Sequence, residues 1–213
     1  MDVSRFKKLP ILGILRCSGQ VPIEELVETI VSSGLEAIEI AMNSDSAGSL
    51  IKRAVKAAKG RLMIGAGTVL NMDTLKLALD AGATFIVSPT LIEDVVGYCV
   101  KHAMPVFPGA LTPQEIYNAW RAGATMVKVF PAAMFGPSYI KEVKGPFSDI
   151  ELLACGGVTP ENIKAYFAAG AAAVAFGGSV FKKSSLDKKE FALIERSIKD
   201  LIASAKINPG PIV

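Results

Sequence analysis

The sequence predicts an α/β chain folded as a (β/α)8 (TIM) barrel, and three observations carry that prediction. Short apolar runs alternate with amphipathic stretches along the whole length, the pattern of repeated βα units feeding a parallel sheet. Four segments echo one another, SGLEAIEI, AGATFIVS, AGATMVKV and AGAAAVAF, each with a glycine after a helix and an apolar strand just beyond. Those glycines, Gly34, Gly82, Gly123 and Gly170, are separated by 48, 41 and 47 residues, so every interval holds two βα units. Eight units then fill residues 1–213 as one barrel domain, with its active end at the C-terminal ends of the strands. An open doubly wound sheet is the competing architecture, but it would lack the fourfold spacing.

The elements follow in order. Strands are expected at Ile11 to Arg16, Ala37 to Met42, Leu62 to Ala66, Phe85 to Ser88, Pro105 to Pro108, Thr125 to Phe130, Leu152 to Ala154 and Val174 to Phe176. Helices are expected after them at Ile23 to Ser33, Ser46 to Lys59, Met72 to Ala81, Glu93 to Lys101, Pro113 to Ala122, Ser138 to Val143, Pro160 to Ala169 and Leu186 to Ala205. Thr112-Pro113 and Thr159-Pro160 each offer a cap oxygen followed by proline at the first helical position. Glycine at the four echo positions suits a helix C-terminus whose next residue turns left-handed.

Composition narrows the function classes. Of 213 residues 51% are hydrophobic and 20% charged, which excludes a disordered chain. Twenty-three Lys+Arg against 20 Asp+Glu leave +3, too little and too evenly spread for a nucleic-acid footprint. The apolar run Leu9 to Leu15 after Lys7 and Lys8 contains Pro10 and Gly13 and ends at Arg16, which does not suit a signal peptide. No window reaches the roughly 18 apolar residues of a membrane helix. Cys17, Cys99 and Cys155 are odd in number and scattered, as in a reduced cytoplasmic protein. His102 is the single histidine and closes the fourth helix, so a histidine-based metal site and a Ser-His-Asp triad are both disfavoured. Neither a metal nor a cofactor is expected.

Two strands carry ionisable groups where a barrel should be apolar. In TMVKVFPAA, Met126, Lys128 and Phe130 share one face and Val127 and Val129 the other. The valines suit the helix side, which turns Lys128 into the barrel. Lost hydration there should favour the neutral amine, a nucleophile for a carbonyl. On the second strand Glu39 alternates with Ile38 and Ile40 and also faces inward. Both strands are even-numbered, so the two side chains can share a layer. An acid beside an imine-forming lysine can move protons. A plain buried ion pair is the other reading, and it would keep the lysine charged.

Glycine pairs end the last two strands, Cys155-Gly156-Gly157 and Gly177-Gly178-Ser179. Bare backbone N–H groups at that end of a barrel commonly hold a phosphate. Gly65-Ala66-Gly67-Thr68 is half a dinucleotide fingerprint without its third glycine, and is expected to be a tight loop bringing Thr68 to the site. Lys182, Lys183, Lys188 and Lys189 are expected to form a solvated face.

These pieces together, PILGILR, EAIEIAMNS, IGAGTV, IVSP, PVFPG, KVFPA with FGPSYIK, and GGVTPEN followed by GGS, resemble the 2-keto-3-deoxy-6-phosphogluconate and 2-keto-3-deoxy-6-phosphogalactonate aldolases from about Pro10 to Phe181. The resemblance implies a class I carbon-carbon lyase assembled as a homotrimer, with Lys128 as Schiff-base lysine, Glu39 as acid and base, and phosphate on the two terminal glycine loops. Thr68 and Pro89 would border a pyruvate moiety. The substrate would be a 2-keto-3-deoxy-6-phospho-sugar acid split to pyruvate and glyceraldehyde 3-phosphate, with 4-hydroxy-2-oxoglutarate as a further candidate. The chain departs from the phosphogluconate pattern E-V-T-L-R-T, because Glu39-Ile40-Ala41-Met42-Asn43-Ser44 lacks its arginine. The phosphogalactonate type resembles E-I-P-L-N-S with I-L-R on the first strand, matched here by Ile14-Leu15-Arg16. Arg16 is therefore expected to grip the substrate carboxylate. Cys155 stands where the two types resemble Thr or Val. A phosphate-binding isomerase or epimerase using Glu39 as base, or a non-catalytic phospho-ligand-binding barrel, are the alternatives that the residues leave open.

Overall fold

The computed structural model describes residues 1–17 and 21–205. A short helix, α1 (Val3–Lys8), precedes β1 (Ile11–Leu15), and strands and helices then alternate: α2 (Ile23–Ser32), β2 (Ala37–Ala41), α3 (Ala47–Ala58), β3 (Met63–Gly67) and α4 (Met72–Asp80). The middle of the chain forms β4 (Ile86–Val87), α5 (Glu93–Lys101), β5 (Val106–Phe107), β6 (Gly109–Ala110), α6 (Pro113–Arg121) and β7 (Val127–Val129). After a 3-10 turn at Ala132–Met134 come α7 (Gly136–Lys144), β8 (Leu152–Cys155), α8 (Ile163–Ala168), β9 (Ala173–Phe176), α9 (Lys183–Asp187) and α10 (Phe191–Ala205).

The strands form one parallel sheet in the order β5-β4-β3-β2-β1-β9-β8-β7-β6. Eight staves appear as nine pieces because Pro108 has no N–H and interrupts the fifth. Its first half pairs with β4 and its second with β7. Backbone bonds from Thr125 N–H to Val106 O and from Lys128 N–H to Pro108 O, each 2.9 Å, close the ring. The four echo glycines all adopt positive φ, from 86° to 98°, as the helix-to-strand reversals require.

Strand alternation sorts the apolar residues into two layers. Ile38, Ile40, Val127 and Val129 join the cluster under the helices, whereas Leu12, Ala37, Met63, Phe85, Phe107, Met126 and Leu153 fill the barrel interior. The base is stoppered by α1, whose Phe6 is fully buried with its ring centroid 6.2 Å from that of Phe107. Arg5 ties the stopper down by bonding to the Glu36 carboxylate and the Gly60 and Arg61 carbonyls.

Several expectations need correction. No helix was expected before the first strand, yet α1 forms there, with Asp2 accepting from Arg5 N–H at its N-cap. Thr112-Pro113 does open α6 with a full capping box to Glu115, but Thr159-Pro160 does not open a helix. There the Thr159 N–H donates to Asn162 Oδ1 and regular helix begins at Ile163. The helix expected over Leu186 to Ala205 is two, broken where Lys189 takes φ 55°. Gly65 to Gly67 is strand rather than loop, and the bend falls on Thr68. Among the described residues no helix is long and apolar enough to cross a membrane.

Candidate active site

Two residues above the base layer, the same inward faces turn polar. Glu39 on β2 is 1% exposed and Lys128 on β7 is 6% exposed, with Glu39 Oε1 3.7 Å from Lys128 Nζ. The shared layer expected from the even-numbered strands is therefore present. The residues above it open into a cavity of about 740 Å³, lined by Arg16, Glu39, Thr68, Pro89, Lys128, Cys155, Gly156, Gly157, Gly177, Gly178 and Ser179. Every residue singled out for the site from sequence thus borders one space at the C-terminal ends of the strands.

The electrostatics amend one expectation. Burial disfavours the charge on Lys128, but the Glu39 carboxylate beside it, with Cys155, more than compensates and its pKa is raised. The pull of the carboxylate thus opposes the neutral amine expected from burial alone. Burial pushes Glu39 above the ordinary carboxylate range, against the pull of Lys128 and Arg16. The acid is thereby a more receptive base for the lysine's proton than a surface carboxylate would be. Burial also lifts the Cys155 thiol to about 11, so it stays protonated at neutral pH. Glu39 Oε2 is the one buried side-chain polar atom without a partner among the described residues. A buried oxygen left unbonded is expensive, and a ligand or water donor in the cavity would satisfy it.

The rim is built from backbone as much as from side chains. Thr68 holds φ 57° directly after β3, a left-handed conformation that a β-branched residue rarely takes. Gly156 and Gly157 also have positive φ, 102° and 72°, so their loop needs glycine for its own shape. Gly178 has no such demand, and a Cβ there would meet nothing within 4 Å. Its bareness leaves open space beside the cavity. The Ser179 hydroxyl donates to Val158 O at 3.1 Å, joining the two glycine loops to each other.

A sequence profile described as aldolase, KDPG and KHG aldolase, matches residues 3–197. The chain belongs to the KDPG and KHG aldolase family. As an aldolase it is a carbon-carbon lyase. It is 38% identical over 178 residues to the 2-dehydro-3-deoxy-6-phosphogalactonate aldolase of Escherichia coli K12, covering 82% of this chain and 86% of that protein. It is 30% identical over 193 residues to the 2-dehydro-3-deoxy-phosphogluconate aldolase of Pseudomonas aeruginosa, covering 90% and 87%. A solved native KDPGal structure superposes with TM-score 0.83 at 32% identity, over 92% of this chain and 94% of that one.

Against the aldolase family, the departures noted on the second strand gain a geometry. Asn43 stands where the phosphogluconate pattern has arginine, and its Oδ1 accepts from Arg16 Nε at 3.2 Å. One guanidinium edge is thus occupied, and Arg16 still lines the cavity. Sequence reasoning missed Asn43 as a lining residue, along with Phe130, Asp45, Phe181 and Lys183. Phe130 was already on the inward face, and its ring centroid lies 5.6 Å from Lys128 Nζ, within cation-π range. Lys183 is exposed, as expected together with Lys182, Lys188 and Lys189, and it also reaches the cavity.

Proposed function

We propose that this aldolase reversibly cleaves a 2-keto-3-deoxy-6-phospho-sugar acid to pyruvate and glyceraldehyde 3-phosphate through a Schiff base on Lys128. The observation that carries the reading is the buried pair at the cavity floor, a lysine 3.7 Å from a carboxyl whose second oxygen has no partner. Glu39 takes the proton of Lys128, and the freed amine attacks the C2 ketone to give a carbinolamine. Glu39 returns the proton as hydroxide departs as water, leaving the iminium. The carboxylate then removes the C4 hydroxyl proton through bound water, the C3–C4 bond breaks, and its electrons enter the iminium as an enamine. Protonation at C3 and hydrolysis release pyruvate and restore the pair. The iminium is the electron sink, so the sequence balances without a metal.

Substrate groups find complementary surroundings. Arg16 supplies the planar fork for the carboxylate. Thr68 and Pro89 flank the pyruvate portion, and Cys155 faces the carbon that distinguishes the gluconate from the galactonate series. Gly156, Gly157, Gly177 and Gly178 offer backbone donors to the phosphate, with Ser179 bracing their loops and Lys183 at the mouth. Beside the mouth, Met134 and Phe135 are exposed and apolar, a surface suited to burial between copies in a homotrimer. Three free, buried cysteines suit a reducing compartment such as the cytoplasm.

Treating the protein with pyruvate and borohydride tests the mechanism. One reduced adduct per chain, on Lys128, is the expected result. An unlabelled protein rejects the Schiff base, and labelling that persists in Lys128→Ala rejects Lys128 as its site.

A further inference from the structure

Among the glycines that lie within strands, three would bring a Cβ closer than 3 Å to another group, each for a different reason. A Cβ on Gly65 would stand 2.4 Å from the Phe85 ring, and one on Gly109 would stand 2.1 Å from the Pro89 carbonyl oxygen. These two glycines accommodate packing and backbone. A Cβ on Gly67 would instead stand 2.3 Å from Glu39 Oε1, 2.7 Å from its Cδ and 3.1 Å from its Cγ. The volume a side chain would fill at 67 is occupied by the carboxyl group itself.

Nothing else requires glycine at this position. Gly67 ends β3 in regular register, opposite Ala41 of β2, and is absent from the residues with positive φ. Its carbonyl accepts from Met42 N–H at 2.7 Å, so the backbone on both sides is fixed by the sheet. The oxygen that leans over Gly67 is Oε1, the one facing Lys128 Nζ. Glu39 is 1% exposed and walled by its neighbours, so a carboxyl pushed off Gly67 has to swing away from its resting place.

We infer that Gly67 is a positioning residue: its missing side chain sets where the Glu39 carboxyl lies relative to Lys128. This inference rests on the reading of Glu39 as the acid and base of the aldolase. A methyl group at 67 leaves every reacting group chemically intact and displaces one of them. Misplacing a proton-transfer group by about 1 Å can lower turnover about 100-fold. Glu39→Asp withdraws the carboxyl by one methylene, so the same methyl group should find room in that background.

The experiment is a cycle of Gly67→Ala, Glu39→Asp and the double variant in the full chain, with Glu39→Gln as reference. Gly67→Ala should lower kcat about 10- to 100-fold with KM within about threefold, and should shift the pH limb of kcat/KM that Glu39 governs. In the Glu39→Asp background the same change should alter kcat less than about threefold, where independent effects would multiply. Equal losses in both backgrounds, an unshifted pH limb, or a rise in KM with kcat intact overturns the proposal. Should Gly67→Ala fail to fold, recovery of folding in the double variant supports the steric relation, and failure of both overturns it. If Glu39→Gln lowers kcat while Gly67→Ala does not, only this inference falls. If Glu39→Gln leaves kcat unchanged, the assignment of Glu39 falls with it.

Discussion

The two ends of the barrel are filled on opposite principles. At the base, Phe6, Phe85 and Phe107 are fully buried against one another, and Arg5 on the stopper helix spends its donors on a carboxylate and two carbonyls. At the mouth, the same strands bring a carboxyl and an ammonium into the interior and leave one carboxyl oxygen without a partner. The base gains free energy from apolar burial, whereas the mouth gives some up to hold two charges out of water. One end makes the fold and the other uses it.

The largest expected effect probes the mouth. Arg16→Ala removes a charged donor from the proposed carboxylate site, and pyruvate affinity should fall by about 2–5 kcal/mol, roughly thirty- to several-thousandfold. Arg16→Lys should fall between, since charge survives and the fork does not. Affinity within threefold of the parent in a folded Arg16→Ala would show that Arg16 is no anchor. At the base, Phe6→Ala should lower unfolding stability by about 3–5 kcal/mol while kcat stays within about threefold. A large loss of kcat with stability preserved would erase the distinction between the ends.

The third test inverts the sign of the second. Replacing the pair together by apolar residues, Lys128→Met with Glu39→Leu, should abolish turnover yet raise stability by about 1–4 kcal/mol, read by denaturant unfolding. pH sharpens it. Glu39 is raised by burial, so its stability contribution is fully present below the ordinary carboxylate pKa of 4.5 and is lost as pH rises through the raised value. The parent should lose stability relative to Glu39→Gln over that window. Surface Glu24, held down to about 2 by its hydrogen bonds from Arg53, works the other way and loses its contribution as pH falls. The smallest effect belongs to Gly178→Val, which should weaken a phosphorylated substrate about tenfold or more and leave pyruvate binding unchanged. Equal weakening of both would make that loop a structural turn.

The mouth was more legible in the sequence than the base. Period-two alternation with one wholly apolar face fixes where Glu39 and Lys128 point, because a slip of one residue would bury the charges under the helices and expose the isoleucines and valines to the barrel. The helix α1 spans six residues, too few to show a period, and only the tertiary socket around Phe6 makes it worth forming. The break before α10 escaped notice because the left-handed residue is Lys189 rather than a glycine. Asn43 could be seen as a departure, but its bond to Arg16 joins two strands and has no one-dimensional signature. The role of Gly67 is a matter of vacant volume, which a sequence does not display.

The lengths of the strand ladders divide the ring into two arcs. Neighbouring strands share three to five paired residues from β7 through β8, β9, β1 and β2 to β3, but β4 meets β3 through one pair and each half of the fifth stave meets its neighbour through two. Lys128 stands at the border of the thin arc, its own amide fastened to the Pro108 carbonyl. The longer ladders through β1, β2 and β3 keep Glu39 and Gly67 in fixed register across from it. The ring is loosely laced beside its nucleophile and closely laced behind its acid.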